Sequence, residues 1–157
     1  MNETYNKIVE DITRIAEMHN MVERVDHGEI SKLISTRDYK YPLIYFLNEY
    51  VRENADASVV VYKMHILACS SVQNGEGDML EVQSDMLQIL MDICNILQNH
   101  KYFRNTYKIV DNIVYFPFFE RFDDNITGYR AEVYIQAGLN KNPCQAPFNW
   151  NDDINNH

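Results

Sequence analysis

From Tyr129 to Ala137 the chain alternates without a break. Tyr129, Ala131, Val133, Ile135 and Ala137 fall on one side, Arg130, Glu132, Tyr134 and Gln136 on the other. Side chains in a strand point to opposite faces with period two, so this stretch is a strand with one packed face and one wet face. Ahead of it, Ile109-Val110 and the run Ile113 to Phe119 are rich in β-branched and aromatic residues, which favour a second strand. Between the two lies Asp123-Asp124-Asn125-Ile126-Thr127-Gly128, a cluster of turn formers. The spacing predicts a long hairpin over Thr106 to Ala137, around which the remaining elements must pack.

Tyr5, Ile8, Ile12, Ile15, His19 and Val22 recur at helical spacing with charged residues between them. They predict an amphipathic helix over Asn2 to Arg24, aided by Glu3 near its start and stopped by Asp26-His27-Gly28. Gly28 is free to take a positive φ there. His19 on this stripe reads as a half-buried packing residue rather than a ligand. Ile30 to Ile34 fits a short strand or a turn of helix equally. Tyr41-Pro42 breaks any helix, so Leu43 to Leu47 is expected to be a strand. Val59 to Val72 pairs with it across Asn54-Ala55-Asp56, with Val60, Tyr62, Met64, Ile66 and Ala68 on its core face. A second helix then carries the stripe Met79, Val82, Met86, Ile89, Leu90, Ile93 and Leu97, with Asp78 as N-cap and Glu81 completing a capping box. Asn99-His100 ends it, and Arg104-Asn105 leads into the hairpin.

At 157 residues the chain suits one domain able to bury a core without covalent staples. Its three cysteines, Cys69, Cys94 and Cys144, have no CxxC spacing and read as free thiols in a reducing compartment. The start MNETYNKIVEDI is not that of a signal peptide, and no apolar run approaches the ~20 residues of a membrane span. A net charge of -9 argues against a free-standing nucleic-acid binder and is accounted for by solubility. Eleven tyrosines and seven phenylalanines exceed what a core of this size needs, a pointer to protein contacts.

Motifs for chemistry are missing. Gly75-Glu76-Gly77 lacks the third glycine of a dinucleotide loop, with Leu at position 80, and Glu76 and Asp78 would repel a pyrophosphate. His65 and Cys69 on one strand lie about 13 Å apart at ~3.3 Å per residue, too far to share a metal ion without another element. The acids Asp123-Asp124 belong to a turn, and Glu120-Arg121 is at most a surface ion pair. A hydrolase would have to use Ser70, Ser71, His65 and His27, which nothing in the sequence groups together.

The central HILACSSVQNGEGDMLEVQSDMLQILMDI (65–93), the hairpin YFPFFERFDDNITGYRAEVYIQ (115–136) and the closing LNKNPCQAPF (139–148) resemble the tail-terminator or tail-completion proteins of tailed bacteriophages. The last combination is similar to neck or ring proteins of crAss-like and related phages. The resemblance covers most of residues 1 to 148. It implies a virion protein forming a homo-oligomeric ring in the head–tail connector, with no catalysis and no cofactor. Its partners would be further copies of itself, the portal or adaptor and the tail proteins, with DNA passing through the lumen unread and no membrane involved. The alternative is an assembly adaptor or chaperone that binds proteins but leaves the finished particle.

The expected fold is therefore α+β over residues 1–139, a mostly antiparallel sheet of about four strands with two main amphipathic helices. Residues 140–157 are expected to form an extended Asn- and Pro-rich arm or a disordered tail. Pro143 and Pro147 restrict its backbone, while Phe148 and Trp150 at alternate positions point the same way as anchors on a neighbouring subunit. The competing possibility is that the arm folds back over its own sheet.

Overall fold

The computed structural model describes residues 5–36, 39–55, 57–72, 76–121 and 125–138. The arm, and with it Pro143, Pro147, Phe148 and Trp150, lies outside the described residues. In chain order the elements are α1 (Tyr5–Glu17), β1 (Arg24–His27), α2 (Ile30–Ser35), β2 (Leu43–Glu53), β3 (Val59–Ser71), α3 (Glu76–Asn99), α4 (Lys101–Thr106), β4 (Lys108–Arg121) and β5 (Asn125–Gly138). One sheet runs β1-β2-β3-β5-β4. Strand β1 is parallel to β2, and the other pairs are antiparallel. The α+β class holds, and the mostly antiparallel sheet of about four strands is roughly matched by a mixed five-stranded sheet in which β1–β2 is the parallel pair; among the described residues two short helices, α2 and α4, join the two main ones.

The hairpin forms where the alternation put it, with Lys108 opposite Gln136 at one end and Arg121 opposite Asn125 at the other. Asn125 to Gly128, which the sequence cluster assigned to the turn, belong to β5. A bulge between Val110 and Val114 bends β4, with Asp111 at φ 60°, a left-handed conformation that Asp tolerates better than bulky residues.

Helices α1 and α3 cover one face of the sheet. Ile8, Ile12 and Ile15 of α1 and Met86, Ile89, Leu90, Ile93 and Leu97 of α3 meet Phe46, Met64, Ile66, Val133 and Ile135 from the strands. A smaller core on the other face joins Leu33 of α2 to Leu43, Tyr45, Leu67, Cys69 and Ile126. Each strand thus serves two cores at its Leu43/Cys69 end, so β2 and β3 have buried residues on both faces there.

Several boundaries differ from the sequence reading. Helix α1 stops at Glu17, not Arg24, and Arg24–His27 forms a strand instead. Val22 and Val25 continue the helical spacing, yet Val25 is opposite Ile44 in the sheet. The His19 ring accepts the Met21 N–H and bonds Asp92 at 2.9 Å, which closes the chain into a turn. Asp26 and His27 therefore lie in β1 rather than stopping a helix. Gly28 does have positive φ, 137°, as it turns the chain into α2. The open segment Ile30 to Ile34 is helical, β2 runs six residues past Leu47 to Glu53, and Arg104-Asn105 lie in α4. Helix α3 begins at Glu76, so Asp78 sits inside its first turn and is not the N-cap. There it faces the positive end of the helix dipole.

Asp26 ties these short elements together. Its carboxylate accepts from the Lys32 ammonium at 2.9 Å, the Tyr39 hydroxyl at 2.7 Å and the His27 N–H at 2.8 Å. Burial works to raise its pKa, but these three donors outweigh it and hold the carboxyl below its ordinary range. Because the folded value lies below the unfolded one, the stabilisation is full above about pH 4–5 and fades as pH falls through the depressed folded pKa. Burial and the neighbouring Asp26 push Tyr39 up to about 12, so its share persists past pH 10 and fades as pH rises through that value. Asp26→Asn should lose roughly 2 kcal/mol at pH 7, within the range for hydrogen bonds to a charged group. Urea melts at a series of pH values check this: the gap between the two proteins should shrink on going from pH 5 to pH 2.

Candidate functional site

The face of the sheet opposite α1 and α3 is covered at only one end by the described residues, through α2 and the Tyr39–Tyr41 segment. Its other half carries a connected set of charged and aromatic side chains. Period two puts Lys63 and His65 of β3 and Arg130 and Glu132 of β5 on this face, and the register, with His65 opposite Glu132, brings them together. Glu49 follows Tyr45 and Leu47 at period two onto the same face. Asn48 pairs with Met64 and Tyr50 with Lys63, so Glu49 is an extra residue in a bulge that turns Tyr50 onto this face as well. With its nitrogen turned inward, the Asn48 amide donates to the carbonyls of Tyr50 and Lys63, at 2.9 and 3.0 Å, and fixes the bulge.

Glu49 Oε2 lies 2.7 Å from Lys63 Nζ and 2.9 Å from His65 Nε2. Arg130 Nη1 lies 2.8 Å from His65 Nδ1 and 2.9 Å from Glu132 Oε1. A guanidinium only donates, so Nδ1 must accept and the proton sits on Nε2, directed at Glu49. Hydrogen bonds from Lys63 and then His65 hold the Glu49 carboxyl below its usual range, and the same contact raises Lys63. The Lys63 ammonium also sits between the Tyr50 and Tyr134 rings, 5.6 and 5.8 Å from their centroids. Arg130 lies 4.6 Å over Phe116.

The arrangement is a network of mutually paired charges on the open face of the sheet. Both His65 nitrogens are engaged, and the charges match one another in place. Ser70 lies on the opposite face of β3 from His65, and Ser71 is six residues along the strand, about 20 Å away. His27 stacks on Phe46, 5.2 Å between centroids. The four residues a hydrolase would need are therefore not brought together. Cys69 is buried beneath α2, and burial pushes its thiol up to about 12. Among the described residues, no three His, Cys, Asp or Glu side chains are grouped to hold a metal ion. His19 is partly buried and held by Asp92, in keeping with a packing role.

A second surface follows the outer edge of β4. Among the described residues no strand pairs with that edge, although β4 is 14 residues long. Val114, Phe116 and Phe119 are exposed along it, between 37 and 45%. The sequence reading recognised the excess of aromatics but missed Glu49 and Arg130. Arg130 was visible as a polar position in the alternation and Glu49 as the polar end of the Tyr45, Leu47, Glu49 alternation, but their contacts depend on how the strands pair.

No family model and no curated protein matches the chain. No helix among the described residues is long and apolar enough to cross a membrane.

Proposed function

We propose that this chain is a structural ring component of a phage head–tail connector, assembling with copies of itself around a DNA channel. The observation that supports this reading is the long outer edge of β4, flanked by exposed Val114 and Phe116 on one face of the sheet and by Phe119 on the other. Such an edge invites pairing with another chain, and a protein that stays alone usually blunts it with charge, bulges or shortness. Here the bulge at Val110–Val114 and Pro117 blunt it in part, and apolar side chains remain between and beyond them. The charge of -9 suits a conduit that must not grip its cargo, since clustered Lys and Arg would hold DNA phosphates by counterion release.

The test uses Val114→Lys/Phe116→Lys, which changes two exposed side chains and should leave the melting temperature within a few degrees of wild type. Wild-type protein is expected to sediment as a closed oligomer with a central hole by negative-stain microscopy, and the variant as a monomer. A wild-type protein that remains monomeric at high concentration, or a variant that assembles normally, overturns the proposal. Mass spectrometry of purified particles separates a connector from an assembly factor: the former stays at fixed low copy number, the latter is absent.

A further inference from the structure

Where the C-terminal half of α1 crosses α3 and α4, the surface opens into a groove of about 750 Å³. Its apolar lining comes from Ile15, Met18, Ile93, Ile96, Tyr102 and Phe103. Met18 is 75% exposed there, and Ile96 more than a third. Volumes of this size enclose drug-sized ligands, which is room for two large aromatic side chains. Beside Tyr102 the rim carries Lys7 and Arg14, 5.6 and 5.5 Å from the ring centroid, with Arg14 also paired to Asp11, while Asp92 and His19 line the opposite side.

We infer that this groove receives the C-terminal segment of a neighbouring copy, with Phe148 and Trp150 as the inserted side chains. The inference rests on the ring reading above. Three observations favour this occupant. The segment leaves the sheet at Gly138, two residues past Gln136, which pairs with Lys108 just after α4. It thus departs from the end of the sheet where the groove lies. The ten residues from Leu139 to Phe148 extend at most about 33–36 Å, enough to leave one subunit and enter the next. Asp152 and Asp153, one residue beyond Trp150, complement the Lys7 and Arg14 side of the rim. A groove and a segment at different places on one chain make a heterologous, head-to-tail contact, the kind that closes into rings.

The test is a disulfide trap in a Cys144→Ser background, where the remaining native thiols, Cys69 and Cys94, are buried. Met18→Cys and Asn149→Cys are made in separate proteins, mixed and oxidised. The expected result is a covalent dimer containing one chain of each kind, at a yield well above either variant alone. Independently, Phe148→Ala/Trp150→Ala should weaken self-association about 100-fold, equivalent to about 2.8 kcal/mol, without lowering the monomer's melting temperature. If the mixture gives no dimer while a chain carrying both cysteines closes an internal bridge, the segment docks on its own subunit and the inference is wrong. If no bridge forms in either case and chains ending at Leu139 still build rings, the groove is not its receptor, yet the ring reading stands. A protein that never self-associates sinks both.

Discussion

Gly128→Ala is expected to abolish cooperative folding or to cost at least about 4 kcal/mol, a loss that few single substitutions reach. Gly128 lies in β5 with Cys69 of β3 on one side and Phe118 of β4 on the other. A Cβ there would overlap the Ala68 carbonyl oxygen and crowd the Cys69 Cα. Both obstacles are backbone, so no rotamer change relieves them. β3 and β5 would have to part at Ala68–Cys69, opening the ladder beneath the smaller core. Urea denaturation followed by far-UV circular dichroism reads the effect. Gly138→Ala is the control, since nothing lies within 4 Å of an added Cβ at the end of the same strand. Equal midpoints for the two variants would refute the close approach.

Ile89→Asp should leave the chain without a fixed tertiary structure. Ile89 is 1% exposed at the middle of α3, packed against the sheet within the larger core. The described core around it is hydrocarbon, so the carboxylate would be buried unpaired or would be forced to take up a proton. Either alternative consumes much of the 5–15 kcal/mol that typically holds a domain together. Ile89→Val removes one methylene from the same place and should cost only about 0.5–1.5 kcal/mol. Near-UV circular dichroism and dye binding to exposed apolar surface separate the pair. Native-like near-UV signal in the Asp variant would mean that α3 does not seal the core.

What the sequence made legible follows from how far each signal is local. β5 and β3 were readable because each has a face against the larger core, which enforces period two on Val133, Ile135, Met64 and Ile66. The α3 stripe was readable because 24 residues give it many turns in which to repeat. β1 was hidden, since Val22 and Val25 keep the helical spacing of α1 and only the parallel pairing with β2 makes four residues a strand. Helix α4 is six residues held by a His100 cap, whose ring accepts the Tyr102 N–H, and it has too few turns to show a period. On the open face, Lys63, His65, Arg130 and Glu132 were visible as wet positions. That they touch one another, and that Glu49 of β2 reaches Lys63 and His65, depends on strand register. The arm anchors Phe148 and Trp150 follow from composition and spacing, whereas the groove proposed for them is assembled where α1 meets the distant α3–α4 pair.

The two described cysteines stand on opposite sides of the sheet, Cys94 under α3 in the larger core and Cys69 in the smaller one. Burial pushes their thiols up to about 11 and about 12, the former against an opposing hydrogen bond with Tyr115. A thiol reagent needs both access and a thiolate, so neither cysteine reacts until its own layer lifts away. The rate at which each is modified is therefore a clock on one layer alone. Read together, the two clocks tell whether the protein opens as a single body or sheds its α2 side first.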